Sequence, residues 1–361
     1  MSQHSQRKRV LLLHTGGTLG MALPEDRRLD LGPAEHLDRL LSRVPELREI
    51  ADIELIAPWN LDSSDVGPQQ WQALANLIVD RGGVGKPGGF TGIVIIHGTD
   101  TLAYAASALA MMLRGLDRPV VFTGSQRPLE AWRTDARANL AAAVECATLP
   151  IPEVLVVFGD SVLRACRATK ADANDYQAFD TPSQPPLGRI GVELEIDWSR
   201  VRRCSQPFEL KMLIDSRILA LTMFPGLDPA ALRSVVGGAN AERLRAVIVR
   251  GFGVGNVPML GEASLLPLIE SLASAGVAVI VGSQCVRGHT DLCLYAAGRA
   301  ILAAGAIEAR DMTFEACVTK AMWALAQPEN SVAQWFARDL AGEITLSGRV
   351  TSDVKSATLD G

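Results

Sequence analysis

Short runs of apolar, β-branched residues alternate with longer segments of helical periodicity along the first half of the chain. Five of these runs predict β-strands, at residues 9–14, 53–58, 92–97, 119–123 and 154–158. Three segments between them predict helices, at residues 71–79, 102–113 and 135–147. Strands that alternate with helices form mostly parallel sheets covered by helices on both faces. The pattern therefore predicts a larger N-terminal α/β domain built on such a sheet.

The regular pattern fails between about residues 180 and 211, where turn residues and mixed charges follow the sequence TPSQPP at 181–186. Strands are predicted again at residues 217–223, 246–250 and 277–281, and helices at 229–236 and 263–275. We therefore predict two domains, residues 1–190 and 216–361, joined by a linker at 191–215. The second is expected to be a smaller α/β domain of the flavodoxin or Rossmann type.

Composition and charge narrow the class of partner. The chain has 361 residues, of which 48% are hydrophobic and 21% are charged, so it can bury sizeable cores. Its formal net charge of −5 gives no reason to expect nucleic acid, and a small-molecule substrate is predicted instead. The apolar run at residues 10–13 is too short for a signal peptide, and no stretch is long enough to span a bilayer. A cytoplasmic protein without a membrane partner is expected.

The cysteines and glycine-rich segments give no sign of a metal or cofactor. Six cysteines lie without CxxC spacing or nearby histidine pairs, and we interpret them as buried thiols. The segment at residues 82–87, GGVGKP, lacks the spacing of a phosphate-binding loop. The segment at 251–255, GFGVG, follows a predicted strand but lacks the dinucleotide-binding spacing. No cofactor is predicted.

Polar residues follow three of the predicted strands in the first domain. The sequences are TGGT at residues 15–18, LDSSD at 61–65 and GTDT at 98–101. In open parallel sheets, ligands bind beyond the carboxyl ends of the strands, near a point where the strand order reverses. Hydroxyl and carboxylate groups are therefore expected to meet at one edge of the sheet.

Each of these segments also has a structural interpretation. The pair Gly16-Gly17 suits an oxyanion hole, and equally a tight turn after a strand. Asp100 precedes the predicted helix at 102–113, where it could cap the helix or hold a substrate ammonium group. Ser63 could belong to a loop that caps the following helix. Taken singly, these segments leave both alternatives open.

Taken together, the motifs resemble those of the asparaginase family, closest to its cytoplasmic type I enzymes, along nearly the whole chain. Residues 14–21 (HTGGTLGM) and 97–102 (HGTDTL) are similar to the two signatures of the family. Residues 62–65 (DSSD) resemble its substrate loop, and residues 167–171 (RATKA) resemble the segment with the catalytic lysine. Residues 253–256 (GVGN) and 311–316 (DMTFEA) resemble the type I pattern in the second domain.

The resemblance implies an L-asparaginase, which hydrolyses L-asparagine to L-aspartate and ammonia. Thr15 would attack the side-chain amide and form an acyl-enzyme. A threonine hydroxyl needs a proton acceptor, and the resemblance gives that relay to Thr99 and Lys170. How Thr15 and Thr99 divide the chemistry stays open.

The resemblance also implies a substrate site and an assembly. Asp100 would bind the α-ammonium group of the substrate and Ser63 its α-carboxylate. The other residues implied to contact the substrate are Gly16, Asp62, Thr99 and Ser125. No metal or cofactor is implied. The second domain of one protomer completes the site of its neighbour in this family, which implies a homodimer or a homotetramer.

The chain departs from the family in one place. Many relatives have a tyrosine after the first signature, whereas residues 22–30 here contain none and Arg28 lies near the expected position. The missing tyrosine leaves open a catalytically weak amino-acid-binding homologue. An amidohydrolase that prefers glutamine or another amino-acid amide is a second alternative, because it would share every motif named above. A related amidotransferase component that works on charged transfer RNA is disfavoured by the acidic balance and the early first strand.

Overall fold

A large sheet of eight strands forms the first half of the molecule. The computed structural model describes residues 7–20, 42–204, 206–237 and 244–346. The strands of the large sheet are β1 (Arg9–His14), β2 (Asp52–Ile56), β3 (Gly92–Ile96), β4 (Val120–Thr123), β5 (Val154–Phe158), β6 (Ser161–Arg164), β7 (Gly188–Ile190) and β8 (Leu194–Ile196). Their spatial order is β2-β1-β3-β4-β5-β6-β7-β8. The first five strands in that order are parallel, and β6, β7 and β8 are antiparallel to their neighbours.

Helices cover both faces of the large sheet. They are α1 (Leu47–Ile50), α2 (Pro68–Asp80), α3 (Leu102–Met112) and α4 (Ala136–Ala147). Side chains alternate between the two faces of a strand, so Leu11 and Leu13 of β1 pack in one core with α2 and α3. Val10 and Leu12 pack in a second core with α1 and α4. Burial on both faces explains why the central strands are continuous apolar runs.

The strand order reverses at β1. After β1 the chain adds β2 on one side of it and then crosses to add β3 on the other side, with Leu12 paired to both Leu55 and Val94. The next two strands, β4 and β5, continue outward from β3. This order is that of flavodoxin-like doubly wound sheets, in which the reversal opens a crevice beyond the carboxyl ends of β1 and β3.

A smaller parallel sheet of four strands follows. Its strands are β9 (Ile218–Thr222), β10 (Ala246–Gly251), β11 (Ala278–Ser283) and β12 (Ile307–Glu308), which lie side by side in chain order. The helices of this part are α5 (Pro229–Gly237), α6 (Leu266–Ser274), α7 (Ala296–Ala303), α8 (Phe314–Leu325) and α9 (Val332–Phe336). Trp323 of α8 and Trp335 of α9 pack edge to face, 4.9 Å between ring centroids, in the same core as α3. One apolar core therefore joins the two sheets.

Short elements connect the larger ones. Two antiparallel ladders of two residues per strand pair Leu113–Arg114 with Glu209–Leu210 and Thr169–Lys170 with Phe179–Asp180. The 3₁₀ turns are Thr18–Gly20, Ser63–Asp65, Ala165–Arg167 and Gly261–Ala263. Among the described residues, no helix has the length and apolarity that crossing a bilayer requires.

The predicted fold class is confirmed, with a large, mainly parallel sheet and a separate smaller one. The pattern of apolar runs missed β6, β7 and β8, because short antiparallel strands near a sheet edge lack a continuous apolar run. Strand β8 lies inside the stretch 191–215 that we predict as a linker, and its pairing with β7 adds it to the large sheet. The domain boundaries stay a prediction.

The interpretation of all six cysteines as buried thiols is wrong for half of them. Cys146, Cys166 and Cys317 are buried, and burial raises the pKa of the Cys146 and Cys317 thiols to about 12. Cys204, Cys285 and Cys293 are exposed, because each lies in a loop rather than in a strand or a helix. All six are free thiols.

Candidate active site

Three loops meet at the carboxyl ends of β1, β2 and β3, and glycines allow their backbones to touch. Gly16 and Gly17 have φ angles of +115° and +86°, which favour glycine. A Cβ on Gly16 would lie 2.2 Å from the carbonyl oxygen of Leu61, and one on Gly17 would lie 2.5 Å from the Cα of Gly98. A Cβ on Gly98 would in turn lie 2.7 Å from that of Ser63. The predicted site loops therefore pack directly on one another at the reversal of strand order.

Thr15 lies at the end of β1 with its side chain buried. Its backbone N–H donates to the carbonyl oxygen of Ile96 at 3.0 Å, and its hydroxyl donates to the same oxygen at 2.9 Å. Its own carbonyl accepts from the N–H of Leu61 at 3.1 Å. Within the described residues, the Thr15 hydroxyl therefore bonds to the backbone of β3 and to no other side chain.

Thr99, Asp100 and Lys170 form a cluster of side chains in direct contact. The Lys170 Nζ donates to Thr99 Oγ1 at 2.8 Å and to Asp100 Oδ1 at 2.6 Å. Thr99 is buried, whereas the Asp100 side chain is 71% exposed and faces the solvent. The cluster thus has a buried hydroxyl at one end, an ammonium group in the middle and an accessible carboxylate at the other end.

The substrate loop of residues 62–65 forms a 3₁₀ turn. Asp62 caps the turn, since its Oδ1 accepts from the backbone N–H of Ser64 at 2.8 Å. Hydrogen bonds from the hydroxyl and the N–H of Ser64 lower the pKa of Asp62. Ser63 is buried beside Gly98, and its carbonyl accepts from the Thr101 hydroxyl at 2.7 Å. Ser63 therefore lies at the crevice, while the Asp62 carboxylate serves the turn itself.

The loop after β4 contacts the cluster through Gln126. Thr99 Oγ1 donates to Gln126 Oε1 at 3.3 Å, while the hydroxyl of Ser125 donates to the carbonyl of Arg127 at 2.6 Å. The buried carboxylate of Asp135 accepts from the backbone N–H groups of Gln126 and Arg127 at 2.9 Å and 3.1 Å. Asn139, one turn further along α4, donates to the Gly124 carbonyl at 3.0 Å.

Sequence reasoning missed Gln126, Asp135 and Asn139. The available signal was the spacing of Asp135 and Asn139, which is i, i+4 and places both side chains on one face of a helix. That spacing alone does not reveal which loop the two side chains hold. The contact becomes visible only when α4 and the loop after β4 are placed together.

Two buried histidines lie beneath the loops, one at the start of each signature motif. Burial lowers the pKa of His14 and of His97 to about 4. The Nδ1 of His97 lies 2.8 Å from the carbonyl oxygen of Gly98. Gly20 packs against the other histidine, since a Cβ on Gly20 would lie 2.3 Å from His14 Nε2. Both rings are therefore neutral at physiological pH and act as packing for the loops above them.

The structure brings together part of the predicted site. Thr99, Asp100 and Lys170 touch, and Gly16 and Ser63 line the same crevice. The side chains of Thr15, Asp62 and Ser125 instead bond locally. Arg28 and residues 22–30 lie outside the described residues. The described residues hold no group of three or more His, Cys, Asp and Glu that could bind a metal.

Fold and site together define a two-domain α/β hydrolase that acts on amide C–N bonds. The chain belongs to the asparaginase family. The model for the N-terminal domain of asparaginase matches residues 9–202, and the model for the glutaminase/asparaginase C-terminal domain matches residues 217–336.

Individual relatives agree with this assignment. The chain is 33% identical to L-asparaginase 1 of Escherichia coli (strain K12) over 94% of its length and 99% of that protein. It is 33% identical to the L-asparaginase of Thermococcus kodakarensis, over 93% of this chain and 99% of that protein. The solved structure of the thermostable L-asparaginase from Thermococcus kodakarensis superposes with a TM-score of 0.84 at 32% identity, covering 94% of this chain and all of that one.

Proposed function

We propose that the protein is an L-asparaginase, which hydrolyses L-asparagine to L-aspartate and ammonia. The observation that carries the proposal is the contact of Lys170 with both Thr99 and Asp100 at the reversal of strand order. The hydroxyl and the amine in contact supply a proton relay for a nucleophile, and the carboxylate supplies an anchor for an ammonium group. L-asparagine has the matching groups, an amide carbonyl and an α-ammonium group.

Thr15 is the nucleophile in this proposal. Its Oγ1 attacks the side-chain amide carbon, the C–N bond breaks, and ammonia leaves once its nitrogen has gained a proton. Water then hydrolyses the aspartyl ester and restores the Thr15 hydroxyl. A backbone carbonyl is too weak a base to accept the hydroxyl proton, so the Thr15 side chain must leave Ile96 before it attacks. Rotation about its Cα–Cβ bond achieves this.

Thr99 and Lys170 carry the proton in this proposal. Lys170 must be a neutral amine to accept a proton, yet in the free enzyme it donates to Thr99 and pairs with Asp100. The exposed Asp100 carboxylate is also the anchor that we propose for the α-ammonium group of the substrate. A substrate ammonium group on Asp100 competes with Lys170 for that carboxylate, so substrate binding directs the Lys170 amine toward Thr99.

The remaining groups bind and polarise the substrate. Ser63 binds the α-carboxylate from its buried position beside Gly98. The N–H groups near Gly16 and Ser125 stabilise the developing oxyanion, where the loss of one donor costs about 10²–10³ in rate. Asp62 shapes the substrate loop through its cap on the 3₁₀ turn. The chemistry proposed here uses no metal or cofactor.

The resemblance to the type I enzymes supports two further parts of the proposal. We place the protein in the cytoplasm, and we propose a homodimer or homotetramer in which the second domain of one protomer completes the site of another. Domain boundaries at residues 190 and 216 and the linker between them belong to the same proposal. Analytical ultracentrifugation at micromolar concentration tests the assembly.

An ammonia-release assay with L-asparagine and L-glutamine tests the function. The proposal predicts a higher kcat/KM for asparagine and loss of ammonia release in Thr15→Ala. Equal or greater turnover of glutamine would replace the asparaginase assignment with that of a glutaminase-asparaginase. Binding of either amino acid, seen as a thermal shift without ammonia, would identify an amino-acid-binding homologue instead.

A further inference from the structure

The segment that carries Lys170 is held between the two parts of the molecule. Arg167 and Thr169 both reach toward the start of α8 in the smaller part. The buried Arg167 guanidinium donates to Asp311 Oδ2 at 2.8 Å, and Thr169 Oγ1 donates to Glu315 Oε1 at 2.7 Å. Lys170, the next residue, reaches toward Thr99 in the larger part.

The geometry of the strand explains why the side chains of Thr169 and Lys170 point in opposite directions. Thr169–Lys170 is one strand of a two-stranded antiparallel ladder, in which Lys170 pairs with Phe179. Successive side chains of a strand point to opposite faces. When the Thr169 hydroxyl is fixed on α8, the Lys170 side chain must point the other way, toward Thr99. A turn of the strand that released Thr169 would also turn Lys170.

Glu315 lies in the first turn of α8, and its side chain is buried although it is an acid. Burial raises the pKa of Glu315, while the Thr169 hydroxyl and backbone N–H groups, including that of Lys170, act in the opposite direction. Position also favours the carboxylate, since the positive end of a helix dipole lies at its first turn. Burial of an acid costs free energy, so packing alone does not account for Glu315 at this position. Its hydrogen-bond partner Thr169 lies directly beside Lys170, which indicates a role in the site.

We propose that Glu315 is a positioning residue for the hydrolysis, acting on Lys170 through Thr169 and the strand that carries both. The inference rests on the proposed function, in which Lys170 moves a proton at Thr99. Glu315 fixes the face on which the Thr169 side chain lies and so holds the Lys170 Nζ within hydrogen-bond distance of Thr99 Oγ1 and Asp100. The smaller part of the chain thereby contributes to the site of its own protomer.

Steady-state kinetics of three variants test the proposal. Glu315→Ala removes the acceptor, and kcat should fall by roughly tenfold to a hundredfold with little change in KM, the range expected for a misplacement of about 1 Å. Glu315→Gln keeps an acceptor oxygen for Thr169 and should retain most of kcat. Thr169→Val removes the donor at nearly constant volume and should reproduce the loss seen in Glu315→Ala.

Arg202→Ala is the matched control, because Arg202 also joins the two parts of the molecule. Its guanidinium donates to Asp339 Oδ2 at 2.5 Å, and its backbone N–H, which the substitution keeps, donates to Glu153, directly before β5. This contact therefore lies at the amino edge of the large sheet, opposite the crevice. Both alanine variants should unfold at a lower temperature than the wild type, but only Glu315→Ala should lose kcat.

A crystal structure of Glu315→Ala separates the inference from the proposed function. The inference predicts that the Lys170 Nζ moves beyond hydrogen-bond distance of Thr99 Oγ1, whatever the enzyme hydrolyses. An unmoved Lys170 together with an unchanged kcat would overturn it. A wild-type enzyme that releases no ammonia would overturn the proposed function instead, and the position of Lys170 in the variant would still decide the inference.

Discussion

The chain has a large, mainly parallel sheet and a small parallel sheet, and the two differ in the order of their strands. In the large sheet, β1 lies between β2 and β3, so the connections on its two sides diverge and leave a crevice at its carboxyl end. In the small sheet, β9 to β12 lie side by side in chain order, so the described strands of that sheet show no such reversal. The central strands of both sheets are largely buried and apolar, namely β1, β3, β4 and β5 in the large sheet and β10 and β11 in the small one. Burial of the central strands therefore does not distinguish the sheets, whereas strand order does.

The polar groups at the carboxyl edges of the two sheets also differ in their partners. At the large sheet, Thr99 and Asp100 contact Lys170, which lies 71 positions further along the chain than Thr99. At the small sheet, the Thr222 side chain is exposed and the Ser283 hydroxyl donates to the carbonyl of Gly253 at 2.5 Å. Hydroxyl groups at a carboxyl edge are therefore common to both sheets, and at the reversal in the large sheet the Thr99 hydroxyl is paired with the ammonium group of Lys170.

Lys170→Met should produce the largest effect. Loss of the proton carrier is expected to lower kcat by about 10³-fold, within the range of general acid–base catalysis. Lys211→Met is the matched control, since Lys211 pairs with Glu209 at 3.4 Å and lies at the far end of α3, about 16 Å from its first turn. Ammonia release by this control should stay at the wild-type rate. Equal losses in both variants would remove Lys170 from the mechanism.

Thr99→Val and Thr222→Val compare the two edges with the same substitution. Thr99→Val removes the hydroxyl that binds Lys170, and kcat should fall by about 10²-fold. Thr222→Val removes an exposed hydroxyl at the end of β9 and should leave kcat and KM unchanged. The comparison fails if the variant at the small sheet is the slower of the two.

Asp135→Asn should have a smaller effect on turnover. The substitution weakens the acceptor that holds the backbone of Gln126 and Arg127, and the loosened loop is expected to lower kcat by about tenfold. Asp197→Asn is the control, since Asp197 also accepts from a backbone N–H and from Arg200 but lies in an exposed turn after β8. An unchanged kcat in Asp135→Asn would show that the loop after β4 needs no such restraint.

The buried histidines should affect stability rather than chemistry. The pKa of His97 is lowered to about 4 in the folded state, so the unfolded state binds the proton first as the pH falls below about 6.5. The neutral His97 side chain therefore makes its full contribution to the unfolding free energy above that pH. Between pH 7 and pH 5 this contribution falls by about 2 kcal/mol. Urea unfolding of His97→Gln should show a pH dependence smaller by that amount. If His97→Gln kept the wild-type pH dependence of the unfolding free energy, His97 would not be held neutral by burial.

Sequence patterns were sufficient where a single segment determines its own structure. The strands at 154–158 and 92–97 are buried on both faces, and their apolar runs predicted them to within one residue. The pair Gly16-Gly17 indicated a backbone conformation that favours glycine, as an oxyanion hole or a tight turn requires, and both residues have positive φ angles. Sequence patterns are informative in these cases because the residue types of one continuous segment indicate its burial and its backbone conformation.

Sequence patterns were insufficient where distant segments meet. The Thr15 hydroxyl binds the backbone of β3, a contact that the motif TGGT does not indicate. Glu315 contacts Thr169 across 146 positions of the chain, and nothing in either segment indicates the partner. Packing between elements decides such contacts, so they require the three-dimensional arrangement.

The most direct test of the account is to trap the intermediate. The enzyme is acid-quenched during turnover of L-asparagine, digested, and analysed by peptide mass spectrometry for an aspartyl ester. We expect the ester on Thr15, at the reversal of strand order in the large sheet, and we expect it to accumulate in variants slowed at Lys170. An ester on Thr99, or on any residue at the edge of the small sheet, would contradict it.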